Sequence, residues 1–145
     1  MAGYSTTPLP KKLGIKEQSR VLLVQAPPGF VPALGTLAAG VSIADRGAGP
    51  FDLILLFVTR ESDLRRSFPR LATRLVPAGM LWVAWPKKAS GVETDLSFDR
   101  VQKTGLGCGL VDTKICAIDD VWSGLRFVIR LEDRPRRPGS KGNAR

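Results

Sequence analysis

Three short stretches of the chain are apolar at nearly every position, and one is apolar at every third or fourth. RVLLVQAP, Arg20 to Pro27, is a continuous apolar run closed by two prolines, the pattern of a buried strand. VSIAD, Val41 to Asp45, predicts a second, shorter strand, and FDLILLFV, Phe51 to Val58, the strongest one. A strand apolar on both faces belongs inside a covered, mostly parallel sheet. Between the first two, Leu34 to Leu37 predicts a short helical turn.

The next segment changes period. Leu64, Phe68, Leu71, Ala72 and Leu75 share one helical face, and Arg66, Arg70 and Arg74 form an i, i+4 row on the opposite one. Pro69 inside this helix costs about 3 kcal/mol, so a kink or a restart is expected. Pro77 to Gly79 predicts the helix terminator, and MLWVAW, Met80 to Trp85, the following strand. Thr94 or Asp95 is placed to cap a second helix with Leu96, Phe98 and Val101 as its apolar positions, ended by Gly105, Gly107 and Gly109. Val111 to Ile118 and Gly124 to Leu131 predict two strands joined by a hairpin at DDVWS. In the second, Leu125, Phe127, Ile129 and Leu131 alternate with Arg126, Val128 and Arg130, which predicts one partly wet face. Together these elements predict a single α/β domain of Rossmann-like class over residues 20–133, mostly parallel, with an antiparallel C-terminal hairpin and strand order 2-1-3-4-6-5. Residues 1–19, with Pro8, Pro10 and Gly14, predict an extended lead-in; residues 134–145 predict a disordered basic tail.

Composition narrows the chemistry. The 145 residues are 43% hydrophobic, enough for one core. The longest apolar run, Leu53 to Val58, falls far short of the roughly 20 residues of a membrane span, so no membrane partner is expected. With no apolar leader at the amino terminus, the expected location is cytoplasmic. There is no histidine, which removes Ser/His and Cys/His catalytic pairs and Cys/His zinc sites. Cys108 and Cys116 predict reduced packing residues, and no metal is expected. The net charge is +9, but Arg134, Arg136, Arg137, Lys141 and Arg145 sit in a tail without acids, leaving an ordinary excess on the body.

Candidate chemistry gathers at the carboxyl ends of the strands, where open α/β sheets hold ligands. That rim takes Gln25, Ala26, Asp45, Thr59 and then Trp85 to Lys88, in the loop WPKKASGVETDLS. Lys87, Lys88 and Ser90, with Thr94, Asp95 and the nearby Trp122, predict a site for an anionic small molecule or an acidic partner, against the plainer alternative of a solvated loop. Trp82 and Trp85 predict core. Asp119 and Asp120 are paired carboxylates, but adjacent residues face apart. No nucleophile-and-base pair emerges, so the leading reading is a non-catalytic binding or regulatory module without a cofactor. A nucleic-acid interface through Arg66, Arg70, Arg74, Arg134, Arg136 and Arg137 is an alternative.

Two resemblances add to this. FDLILLFV through LVPAGMLWVAWPK resembles the second half of an S-adenosylmethionine-dependent methyltransferase, and GIKEQSRVLLVQAP resembles its first strand. The resemblance implies a Rossmann-like fold, S-adenosylmethionine as an alternative cofactor, and Asp45 at the place of the acid that meets the ribose hydroxyls. The expected glycine-rich turn is replaced by QAPPGF, in which Pro27 and Pro28 lack N–H groups, predicting a forfeited cofactor pocket. The blocks GYSTTPLPKKLGIK, LFVT, WPKKASGVETDL and LVDTKICAIDDVWSGLRFVIR are similar to those of a family of small bacterial proteins catalogued as a domain of unknown function, which implies no activity.

Overall fold

Phe51–Phe57 (β3) forms because six of its seven residues, all but Asp52, have apolar side chains suited to burial on both faces of a pleated strand. Leu53, Leu55 and Phe57 enter one apolar cluster, and Ile54 and Leu56 enter the other. In the computed structural model, which describes residues 7–134, β3 lies inside a six-stranded sheet. Arg20–Val24 (β1) and Ser42–Ala44 (β2) extend it to one side in parallel; Leu75–Pro86 (β4), also parallel, lies on the other. Trp122–Ile129 (β6) then pairs antiparallel with both β4 and Leu110–Ala117 (β5). The resulting order, β2-β1-β3-β4-β6-β5, is the one the sequence predicts.

Two long helices cover one face. Glu61–Ala72 (α3) buries Leu64, Phe68 and Leu71. It runs through Pro69 as one helix, without the expected restart; Pro69 is on the exposed side, where water can serve the carbonyl left without an N–H. The helix stops at Ala72, so Arg74 and Leu75 lie beyond it. Leu75 opens β4, and the Pro77–Gly79 segment is part of that strand rather than a terminator. From Leu75 to Met80, β4 advances five residues while β3 advances two, a bulge. Gly79 allows a close approach there, since a Cβ would sit 3.0 Å from the Val76 carbonyl oxygen and 3.1 Å from that of Phe51. Phe98–Gly107 (α4) is capped by Ser97, whose Oγ accepts from the Arg100 N–H, and not by Thr94 or Asp95. Gly105 lets α4 approach Phe127, and Phe68 meets that ring edge-on at 5.1 Å.

The opposite face is covered by single turns, Leu9–Leu13 (α1) and Phe30–Leu34 (α2). The lead-in is therefore not extended throughout. Pro10 falls in the first turn of α1, where a missing N–H costs nothing, and Gly14, at φ 96°, ends it. Leu13 and Ile15 are buried, and the fully buried Trp82 donates its indole N–H to the Leu13 carbonyl at 2.8 Å. α2 occupies residues 30–34, earlier than the Leu34–Leu37 turn predicted, because Gly35 stops it. At the carboxyl end, Leu131 leaves β6 for a single 3-10 turn and is exposed. No helix among the described residues is long and apolar enough to cross a membrane.

Candidate functional site

The chain leaves β1 at Val24 and turns at Gln25, whose φ of 61° is uncommon for a residue with a Cβ. Its side chain holds this turn in place: Nε2 donates to the Phe57 carbonyl at 3.0 Å. The Pro27 carbonyl accepts from the Phe30 N–H at 3.1 Å, and Gly29, at φ 82°, leads into α2. Gln25 and Gly29 are thus the two positive-φ residues of this turn.

This turn does not fill the space above β1 and β2. An open groove of about 710 Å³ lies there, with Leu23, Val31 and Ile43 as its apolar wall and Gln25, Ala26 and Asp45 at its polar edge. Asp45 is exposed, and among the described residues its carboxylate meets only Arg46, at 3.4 Å. That contact is solvent-bathed and contributes little. Val31, nearly half exposed, and Ile43 were not among the sequence-predicted site residues. The available signal was an apolar pair of valine and phenylalanine set between two glycines, too short to read as more than a turn.

The WPKK loop is on the same rim but elsewhere along it. Lys87 follows β4, three strand spacings or roughly 14 Å from β2. The side-chain oxygens of Ser90, Thr94 and Asp95 are engaged in shaping the loop. Ser90 Oγ donates to the Lys87 carbonyl at 2.7 Å and accepts from the Val92 N–H at 3.1 Å. Thr94 Oγ1 donates to the Thr59 carbonyl at 2.5 Å and accepts from the Leu96 N–H at 3.0 Å. Asp95 Oδ1 accepts from the Glu61 N–H at 2.8 Å, so it caps α3, the neighbouring helix rather than its own. Thr59, Thr94 and Asp95 are thereby brought together. Lys87 lies beside Trp122, since its N–H bonds the Val121 carbonyl at 2.7 Å and Pro86 pairs with Trp122 in the sheet. Neither the Lys87 nor the Lys88 ammonium has an ion pair or hydrogen bond among the described residues. Trp122 packs back on the sheet, edge-on to Phe57 at 5.0 Å, and Phe57 meets Phe30 in the same manner.

The predicted arginine row is split. Arg66 pairs with Asp63 at 2.5 Å, whereas Arg70 and Arg74 line one cleft beside β1, and Arg74, past the helix end, donates to the Gly47 carbonyl at 3.2 Å. Arg134 is tied back to the Ile129 carbonyl at 3.0 Å, and Arg136 and Arg137 lie outside the described residues. The cysteines are free: Cys108 is exposed at the end of α4 and not a packing residue, whereas Cys116 is half-buried, where burial raises its thiol pKa against the lowering charges of Lys12, Lys114 and Arg126.

No family model matches the chain, and no curated protein matches it. Solved structures do. A SAM-dependent methyltransferase from Aquifex aeolicus is similar with a TM-score of 0.60 at 16% identity, over 83% of this chain and 87% of that one. A possible exported protein from Bordetella parapertussis is similar with a TM-score of 0.60 at 10% identity, over 83% and 65%. Magnesium protoporphyrin IX methyltransferase from Synechocystis PCC 6803, solved with bound SAH, has a TM-score of 0.54 at 8% identity, over 84% and 78%. These likenesses establish a methyltransferase-like Rossmann fold for the chain.

Proposed function

We propose that the chain is a divergent S-adenosylmethionine-dependent methyltransferase that binds its cofactor in the groove above β1 and β2. One observation carries this reading: the groove is open, with an unburied carboxylate at its edge, on a fold shared with methyltransferases. The residues present fit the cofactor. A groove of about 710 Å³ lies within the roughly 300–1,000 Å³ of small-molecule sites. Asp45 is an acceptor for vicinal ribose hydroxyls, and Leu23, Val31 and Ile43 offer apolar surface to a purine or a methionyl chain. S-adenosylmethionine has no phosphate: its one anionic group, the methionyl carboxylate, needs fewer donors than a pyrophosphate, so the missing glycine cradle and the one-turn α2 weigh less against it than against a dinucleotide. When bound, it supplies an electrophilic methyl group. Asp45 is the one titratable side chain among the lining residues, so the methyl acceptor must bring its own nucleophilic lone pair.

Titration calorimetry of the full chain with S-adenosylhomocysteine tests the reading. Binding is expected, with Asp45→Ala weakening it about tenfold through lost charge-assisted hydrogen bonds, and with ATP giving no comparable heat. No heat at millimolar concentration, or equal binding by Asp45→Ala, overturns it.

A further inference from the structure

The link from β2 to β3 is only six residues, Asp45 to Pro50, whereas the link from β3 to β4 contains the twelve-residue α3. The α3 side of β1 and β2 consequently has no helix of its own. A cleft of about 190 Å³ remains between α3 and the short link. Its floor is apolar, made by Leu22, Val24 and Leu71, and its rim is cationic, with Arg46, Arg70 and Arg74 around it and Asp45 as the single carboxylate. Arg74 holds the link against α3 through its 3.2 Å bond to the Gly47 carbonyl, so this part of the rim is braced. Arg46 is drawn only toward the exposed Asp45. The Arg70 guanidinium has no ion pair or hydrogen bond among the described residues.

We propose that this cleft is an anion site for a compact ligand with a single-ring or similarly small apolar body and a phosphate or carboxylate group. Size decides against larger occupants. A cavity of about 150 Å³ accepts benzene, so this one takes one ring and no folded segment of a partner. Charge decides the polar end. Three guanidiniums against one carboxylate leave the rim two charges positive, and guanidinium forks match the paired oxygens of phosphate and carboxylate. The apolar floor then distinguishes an aryl or alkyl anion from a bare inorganic one. The site lies on the opposite face of β1 from the wall of the larger groove, and it does not require that the groove bind a cofactor.

The test uses the full chain without cofactor and phenyl phosphate as probe, followed by amide chemical-shift mapping and calorimetry. Phenyl phosphate is expected to shift Arg46, Ser67 and Leu71 and to bind about tenfold more tightly than inorganic phosphate, because only it covers the floor. Arg70→Ala is expected to weaken it roughly tenfold or more, while Arg65→Ala, which removes the same charge from another side of α3, leaves it unchanged. Equal losses in both variants, equal affinity for inorganic phosphate, absence of binding, or shifts confined to other surfaces each overturn the proposal. The wild-type shift map decides the matter if Arg70→Ala fails to fold.

Discussion

Gly105 and Gly107 stand two residues apart in α4, and the same substitution at each should act in opposite directions. A Cβ on Gly105 would fall 2.0 Å from Phe127 Cε2 and 2.5 Å from its Cδ2, where carbon atoms in contact rest at about 3.5–4.0 Å. The ring would have to retreat by roughly 1.5 Å. It is fully buried and braced by Phe68 at 5.1 Å, so it has no open volume to enter. Overpacking of this kind costs about 1–3 kcal/mol and here belongs at the upper end. Alanine returns at most about 1 kcal/mol of helix propensity over glycine, so Gly105→Ala should lose a net 1–2 kcal/mol or about 3–6 °C in Tm. A Cβ on Gly107 meets nothing within 4 Å, and Gly107→Ala should gain up to about 0.5 kcal/mol, reduced by its place at the last helical position. Thermal unfolding followed by circular dichroism, with urea midpoints as a check, separates the two. A raised Tm for Gly105→Ala, or shifts of the same sign in both variants, would refute the close approach of α4 to β6.

Asp95→Ala should cost roughly 1 kcal/mol by removing the cap on the Glu61 N–H, with Asp95→Asn restoring most of it; an unchanged urea midpoint together with altered ligand binding would assign Asp95 to a ligand instead. Trp82→Phe should leave the Leu13 carbonyl without its donor and open a void, losing about 2–4 kcal/mol. Trypsin should then cut faster at Lys11 and Lys12 than in the wild type, and equal cutting rates would count against the docking of α1 through Trp82.

The sheet was legible because its signals are redundant. β3 and β4 are apolar on both faces, Gly109 separates α4 from β5, and a two-sided strand has few places in an α/β fold other than the middle. The failures share one cause, a tertiary contact overriding a local signal. Pro77 and Gly79 look like a helix stop, yet both lie in the β4 bulge against Phe51, where a side chain on Gly79 would crowd two carbonyls. Pro8 and Pro10 look like an extended arm, yet Trp82 supplies a buried donor that fixes a helical turn there. Asp95 reads as a cap and is one, but for a helix more than thirty residues earlier in the chain. The Asp45 position was legible from the end of a short strand; the groove beside it was not, because its apolar wall comes from three separate segments, β1, α2 and β2.

Uneven covering of the sheet connects these details to the proposed function. A full helix between β1 and β2 would pack over Leu23 and Ile43 and start with a row of free N–H groups at the ligand. Here Pro27 and Pro28 withhold two N–H groups from the turn before α2, Pro32 withholds one within it, and Gly35 stops α2 after five residues, so its covering role passes in part to α1. The core under α1 and α2 remains closed, with Leu23, Phe30, Leu34 and Trp82 buried. What is removed is the upper part of the cover, and that removal leaves the groove open. The same substitution therefore weakens a phosphate site and enlarges an apolar one with a carboxylate edge, which favours a ligand bound through its hydroxyls and its apolar rings over one bound through phosphates.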